Sequence, residues 1–384
     1  MKKILSLVLV AAMTLTMLVG CGNKNGASDT WKIGGIGPTT GGASVYGIAV
    51  KNGAELAIKE INEAGGINGV KIEYNFQDDE LDNEKSVNAY NSLKDWGMNI
   101  LVGSVTSGCC IAVADKTSQD KMFQLTPSGS STDCITNDNV FQVCFTDPNQ
   151  GIAAAQYIGE HSLASKVAVI YDSSDVYSSG IYEKFKEEAA NQPFEIVAEG
   201  AFTADSKTNF SVQLQQAKDA GAEMVFLPIY YTEASLILTQ ANDMGYDAAF
   251  FGCDGLDGIL DIENFDTSLA EGVILLTPFV ADAQDEKTQK FVEAYKAAYG
   301  ETPNQFAADA YDAVYIIKAA IEKSGAKPQD GIEGVCDKLT KSMTEISVDG
   351  LTGAGMTWAA TGEVSKSAKA MVIKDGAYTN LFED

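Results

Sequence analysis

Short polar clusters carry most of the chemistry available in this 384-residue chain. Three lie in the first half: Thr39-Thr40-Gly41-Gly42-Ala43-Ser44-Val45-Tyr46-Gly47, Gly103-Ser104-Val105-Thr106-Ser107-Gly108, and Thr126-Pro127-Ser128-Gly129-Ser130-Ser131-Thr132. Hydroxyls beside the free N–H groups of a helix start make a site for an anion such as a carboxylate. Taken singly, Ser107, Ser130 and Thr132 fit N-caps and turn residues better. Three such clusters following strands of one sheet shift the balance toward a ligand. The second half holds Tyr171-Asp172-Ser173-Ser174-Asp175-Val176-Tyr177, Ile229-Tyr230-Tyr231-Thr232 and Gly252-Cys253-Asp254-Gly255. Asp254, among small residues after an apolar run, fits an ammonium acceptor and equally a turn carboxylate. Tyr177 and Tyr230 fit cleft walls and equally the rim of a core.

Catalytic chemistry is harder to assemble. The chain has one histidine, His161, expected at the end of a helix and away from all of these clusters. Neither a Ser-His-Asp nor a Cys-His arrangement has its base. Cys109 and Cys110 lack an activator, and acidic pairs such as Asp78-Asp79 read as solvated surface. A single His makes no His/Cys metal centre, and the calcium-loop pattern is missing. No enzyme activity, cofactor or metal is expected. Of seven cysteines, Cys109, Cys110, Cys134, Cys144, Cys253 and Cys336 follow no CxxC or metal-ligand spacing and read as buried small residues; their redox state and pairing stay open.

The formal charge is −26, with 45% hydrophobic and 21% charged residues. That composition is globular, and so acidic a surface repels nucleic acid and anionic lipid. Every basic residue except His161 is a lysine, so no guanidinium clamp can hold a carboxylate or phosphate.

The elements that must position these clusters follow from periodicity. Strands are expected at Lys32–Gly37, Val70–Phe76, Asn99–Gly103, Met122–Leu125, Lys166–Tyr171, Phe194–Glu199, Glu223–Pro228, Ala249–Gly252 and Gly272–Leu276. Helices fit Gly47–Ala64, Asn83–Trp96, Gly151–His161, Ile181–Gln192, Phe210–Ala220 and Glu233–Met244. Such alternation implies right-handed βαβ units and mainly parallel sheets. Ligands of such sheets lie beyond the carboxyl ends of the strands, where the polar clusters fall. Crossovers between lobes are expected near Thr146–Asn149, Leu276–Pro278 and Leu351–Gly355.

The start of the chain reads as an export signal: Met1, Lys2 and Lys3, then an apolar run from Ile4 to Gly20 that is short for a membrane span. Leu18-Val19-Gly20-Cys21 resembles a bacterial lipobox, which implies lipidation of Cys21. Gly22 to Asp29 reads as a flexible tether.

Further residues carry a second resemblance. Ile33-Gly34-Gly35-Ile36-Gly37-Pro38-Thr39-Thr40-Gly41, Tyr46-Gly47, Gly53-Ala54-Glu55-Leu56-Ala57, Ile61-Asn62-Glu63-Ala64-Gly65-Gly66-Ile67-Asn68-Gly69 and Gln77-Asp78-Asp79 resemble the leucine/isoleucine/valine-binding proteins of ABC importers. The resemblance covers almost the whole chain after Cys21. It implies an α/β fold of two doubly wound parallel-sheet lobes joined by a three-crossover hinge, the type I periplasmic-binding or Venus-flytrap arrangement. The expected division is 1–20 signal, 21–30 lipidated Cys and tether, 31–146 with 278–352 as lobe 1, and 147–277 with 353–384 as lobe 2. The resemblance places an amino-acid ligand on Ser107 (carboxylate), Ser130 (carboxylate and ammonium), the Ser128 carbonyl and Asp254 (ammonium). It places Tyr46, Tyr177, Tyr230 and Phe306 as walls of the cleft. The implied partners are a small-molecule amino acid, branched-chain or another aliphatic one as the family default, and the ABC permease and ATPase. The expected chain is a monomer on the extracytoplasmic face of a bacterial cell membrane. Gly108-Cys109-Cys110 after Ser107, and an Asp rather than Glu at 254, depart from the family pattern and leave side-chain specificity open. A same-fold receptor for an amide, aromatic acid or short peptide, and a chemosensory binding protein, are the competing readings.

Overall fold

The computed structural model describes residues 30–381; the signal, Cys21 and most of the tether lie outside the described residues. Strands β1 (Trp31–Gly37), β2 (Ile72–Asp78), β3 (Ile100–Gly103), β4 (Phe123–Thr126) and β5 (Val140–Gln142) form one parallel sheet in the order β2-β1-β3-β4-β5. Strands β6 (Lys166–Asp172), β7 (Glu195–Phe202), β8 (Met224–Leu227), β9 (Ala249–Gly252), β10 (Ile274–Thr277), β11 (Lys369–Lys374) and β12 (Ala377–Asn380) form a second, in the order β12-β11-β10-β9-β8-β6-β7. Only β11 and β12 run antiparallel to their neighbours. The short central strands are buried along their whole length, as apolar runs covered by helices on both faces should be.

The helices are α1 (Ser44–Glu63), α2 (Asn83–Trp96), α3 (Ser107–Asp120), α4 (Asp147–Glu160), α5 (Val176–Ala189), α6 (Ser211–Asp219), α7 (Tyr231–Asp243), α8 (Glu286–Tyr299), α9 (Gln305–Ser324) and α10 (Gly331–Met343). The two sheets repeat one wiring. The chain leaves β1 for β2 on one side and then β3 on the other, and it leaves β6 for β7 and then β8 in the same way. Each reversal is a topological switch point, where the loops diverge and leave a crevice. The loops that start α3, α5 and α7 all emerge there.

The chain passes between sheets three times. The first passage leads from β5 into α4, which starts at Asp147, so Asp147-Pro148-Asn149 is helix rather than linker. The second follows β10. The third lies beyond the expected Leu351–Gly355. Met356 pairs with Val348, Trp358 with Val364, the Trp358 Nε1–H donates to the Gln142 carbonyl at 2.8 Å, and the Gln142 N–H donates to the Gly362 carbonyl at 3.0 Å. Residues 356–364 therefore lie against β5 of the first sheet, because a buried indole needs a partner for its N–H. Lys366 follows at once. Its ammonium is buried against the Asp309 carboxylate of α9 at 2.7 Å.

Asp79, expected as surface, is buried at the end of β2. Its carboxylate accepts the Leu81 N–H at 3.1 Å, and burial pushes its carboxyl up to about 6. Asp78 beside it accepts the Thr39 N–H at 2.8 Å and the Thr40 hydroxyl at 2.7 Å. Asp78, half-buried, ties the β2 end to the first polar cluster, and Asp79 is withdrawn from solvent.

Candidate functional site

The loops after β3 and β4 are stitched to each other before they reach any ligand. Thr126 donates its hydroxyl to the Ser104 carbonyl at 2.7 Å and accepts the Gly129 N–H at 2.8 Å. Gln142 donates to the Gly129 and Ser131 carbonyls at 2.7 and 3.0 Å. Ser128 donates to the Val105 carbonyl at 2.7 Å, and Ser107 accepts the Ser131 N–H at 3.2 Å. Ser107 is the first residue of α3, so its neighbours include N–H groups with no partner inside the helix. A hydroxyl beside free N–H groups at one helix start is a set of donors that suits a carboxylate.

The second lobe supplies the opposite charge. Asp254 lies in a short 3₁₀ turn after β9 and is only 4% exposed. Its carboxylate accepts the Tyr177 hydroxyl at 2.7 Å, and that hydroxyl accepts the Gly255 N–H at 2.8 Å. Glycine is required at 255: a Cβ there would lie 2.6 Å from the Tyr177 hydroxyl and 2.8 Å from the Ile229 carbonyl oxygen. The Asp254 backbone is held on both sides, its N–H donating to Gln150 Oε1 at 3.0 Å and its carbonyl accepting from Gln305 Nε2 at 2.9 Å. Burial pushes the Asp254 carboxyl up to about 7, with the Tyr177 and Gln150 hydrogen bonds pulling the other way.

An aromatic box closes over these groups. Tyr46, near the start of α1, packs tilted against Phe306 at 4.3 Å and meets Tyr230 edge-on at 5.6 Å. Tyr230 stacks on Tyr177 at 5.0 Å. The Tyr46 hydroxyl donates to the Gly255 carbonyl and accepts the Tyr231 N–H at 3.3 Å. The Val45 N–H donates to the Tyr231 hydroxyl at 3.1 Å, and the Thr232 hydroxyl to the Gly42 carbonyl at 2.5 Å. These contacts join the lobes, so the cleft is closed.

The structure brings Tyr46, Ser107, Ser128, Tyr177, Tyr230, Asp254 and Phe306 around one tight cavity of about 10 Å³. Ser130 is not on its wall. It is 1% exposed, and its hydroxyl has no hydrogen-bond partner among the described residues. Both carboxylate oxygens of buried Asp147, whose N–H donates to the Ser130 carbonyl at 2.9 Å, are likewise unpartnered, and burial pushes that carboxyl well up. Asp147, Gln150, Thr126, Gln142 and Gln305 position the site, and of these the sequence reading singles out only Thr126, as part of its polar cluster. The available signal is a polar residue inside an apolar run, as at Val140-Phe141-Gln142-Val143.

His161 caps the far end of α4 and stacks on Tyr157 at 5.8 Å. The six described cysteines are buried and unpaired. Burial raises their thiols where a shift is resolved, Cys109 to about 12 and Cys336 to about 11, which disfavours thiolate chemistry. Among the described residues no group of three His, Cys, Asp or Glu side chains could hold a metal ion. No described helix is long and apolar enough to cross a membrane.

Two α/β lobes, three chain passages and a cleft at facing switch points define a two-lobed binding protein of the type I periplasmic fold. Comparison with known proteins agrees. Residues 30–377 match the family model for periplasmic binding proteins, and the chain belongs to that family. It is 30% identical over 330 residues to the leucine-, isoleucine-, valine-, threonine- and alanine-binding protein of Pseudomonas aeruginosa, covering 85% of this chain and 87% of that one. A branched-chain amino acid transporter substrate-binding protein of Streptococcus pneumoniae, solved with isoleucine, superposes with a TM-score of 0.82 at 29% identity, covering 91% and 97% of the two chains. A leucine-binding protein of Thermotoga maritima gives 0.81 at 26% identity, with 92% and 98% coverage. The chain is thus a substrate-binding protein of the Leu/Ile/Val transporter type.

Proposed function

We propose that this protein is the extracytoplasmic receptor of an ABC importer, binding a free α-amino acid between its lobes and presenting it to the membrane permease. The observation that carries the reading is one cavity with helix-start donors at Ser107 on one lobe and the Asp254 carboxylate on the other. A zwitterion leaving water needs both charges met, because a buried polar group left unpaired costs about 1–3 kcal/mol and a charge more. Ser107 and the α3 N-terminus take the carboxylate. Asp254 and the Ser128 carbonyl take the ammonium. Tyr46, Tyr230 and Phe306 cover the first atoms of the side chain. Donors and acid belong to different lobes, so they act together only when the cleft is shut, and the ligand favours closure through its differential affinity for the two states.

The lipid on Cys21 belongs to the same proposal. It would hold the receptor at high local concentration beside the permease, while Gly22 to Asp29 let it turn to dock. The test is calorimetry with a panel of the twenty amino acids. Asp254→Ala is expected to weaken binding of the best ligand more than tenfold; unchanged affinity would overturn the assignment of the ammonium site.

A further inference from the structure

The cavity that gathers Ser107 and Asp254 does not end at its own walls. Thr106 and Tyr230 also line a second, larger space between the lobes, of about 200 Å³. The two spaces are therefore neighbours along one cleft. The smaller gathers the groups that meet an α-amino-carboxylate head once the walls give way to admit it, and anything attached to that head has the larger one to enter.

The larger space has two kinds of wall. Val176, Phe202 and Ile229 give it an apolar flank from the second lobe, and Leu81 faces them from the first. Its remaining lining is polar. Asp172, Asp175, Glu233 and Lys207 all reach it, so its charged groups leave it acidic. Glu233 is 7% exposed, an unusual place for a carboxylate, and it pairs with Lys207 at 3.2 Å. Asp172 is engaged by Ser174, and Asp175 caps α5 by accepting the Ser178 N–H at 3.2 Å. These bonds fix the acids in position. Thr106 supplies an independent sign of a ligand: it is 4% exposed, at the junction of the two spaces, and its hydroxyl has no hydrogen-bond partner among the described residues. Buried hydroxyls without a partner are rare unless something else supplies one.

A purely aliphatic side chain would leave this arrangement poorly served. It would cover Thr106 and desolvate the Glu233 carboxylate without offering either a hydrogen bond. A side chain with an apolar stem and a terminal N–H donor satisfies both walls, the stem against Val176 and Ile229 and the donor toward Glu233. We infer that the larger space is the side-chain subsite of the receptor, and that its ligand class is α-amino acids whose side chain ends in an N–H donor, ammonium or amide, on a short apolar stem. This rests on the amino-acid reading of the smaller cavity and narrows it away from branched aliphatic ligands.

Lysine and glutamine distinguish the two sources of the donor, and leucine, isoleucine and valine are the aliphatic controls. Calorimetry on the purified protein is expected to show lysine or glutamine binding at least tenfold tighter than any of the three. Glu233→Gln should remove most of that preference, weakening lysine most and strengthening leucine as the desolvated charge is lost. Lys207→Met, which frees Glu233 and makes the subsite more acidic, should strengthen lysine several-fold and change glutamine little. The inference is overturned if aliphatic ligands bind tightest, if the preference survives Glu233→Gln, or if Lys207→Met alters no affinity; the amino-acid reading survives each of these. If no α-amino acid binds at all, the amino-acid reading itself fails, and this inference with it.

Discussion

Asp254 carries a titration that the proposed ligand would sense. Its carboxyl is pushed up to about 7 from an ordinary value of 3.8 because burial disfavours the charge. Between those values the folded, unliganded protein holds a proton that the unfolded chain has released, so this group makes the empty fold less stable as pH rises from 4 to 7. An ammonium ligand has the opposite preference, since it pairs only with the ionised carboxylate. Binding must therefore lower this pKa and release a proton. Affinity is expected to be highest above pH 7 and to weaken below it, by up to about tenfold per unit while a whole proton is released. Calorimetry in two buffers of different ionisation enthalpy at pH 6 would show the proton, and an affinity flat from pH 8 to 5 would refute the coupling. At this scale the sequence is half legible. Ser107, Asp254 and the tyrosines can be picked out because each follows an apolar strand. Asp147 and Gln150 cannot, because at the start of a helix they read as ordinary first-turn residues, and their meaning comes from Ser130 and Asp254, far away in the chain.

The elements that carry these residues are held by contacts between distant helices. α1 brings Tyr46 into the cleft and α9 brings Phe306, and the two pack side by side. The approach is close at Gly53, where an added Cβ would lie 2.1 Å from the Ala307 carbonyl oxygen. Backbone cannot swing aside as a side chain can, so Gly53→Ala must push the helices apart. It is expected to destabilise the fold by about 1–3 kcal/mol, read as a lower urea midpoint, and to weaken ligand binding as Tyr46 shifts against Phe306. An unchanged midpoint would mean that the helices part freely. The periodicity of Ala54, Ala57, Ile58 and Ile61 marks α1 from sequence, but nothing local says that Gly53 faces α9. The same division runs through the fold. Strands flanked by long helices are legible because burial on both faces leaves continuous apolar runs. β5, three residues long, and the antiparallel pair β11 and β12 at the sheet edge have too little pattern of their own. The third passage is misplaced because it is set by Trp358 docking on β5, a tertiary contact with no local signature.

At the scale of the whole molecule, the proposed function requires the lobes to part, since the small cavity walled by Tyr46, Tyr230 and Phe306 has only about 10 Å³ of room in the closed form. The rim offers a direct way to stop that motion. The Thr232 hydroxyl of the second lobe donates to the Gly42 carbonyl of the first at 2.5 Å. A Cβ at Gly42 would lie 3.9 Å from that hydroxyl oxygen and would meet nothing else within 4 Å. The Thr232 Cβ lies beyond 4 Å from that point, so cysteines at the two positions reach the about 3.5–4.5 Å Cβ separation of a disulfide only at the upper end of that range or with a small shift of the exposed Gly42 loop. The native cysteines should not compete, because the six described are buried. The Gly42→Cys, Thr232→Cys double variant, oxidised without ligand, is expected to take up labelled amino acid at least a hundredfold more slowly than the reduced form, and reduction should restore uptake in full. Oxidised in the presence of ligand, it should retain the label through dialysis. Equal exchange by the cross-linked and reduced proteins would show that ligand enters without opening of the lobes, and the closure mechanism would have to be abandoned.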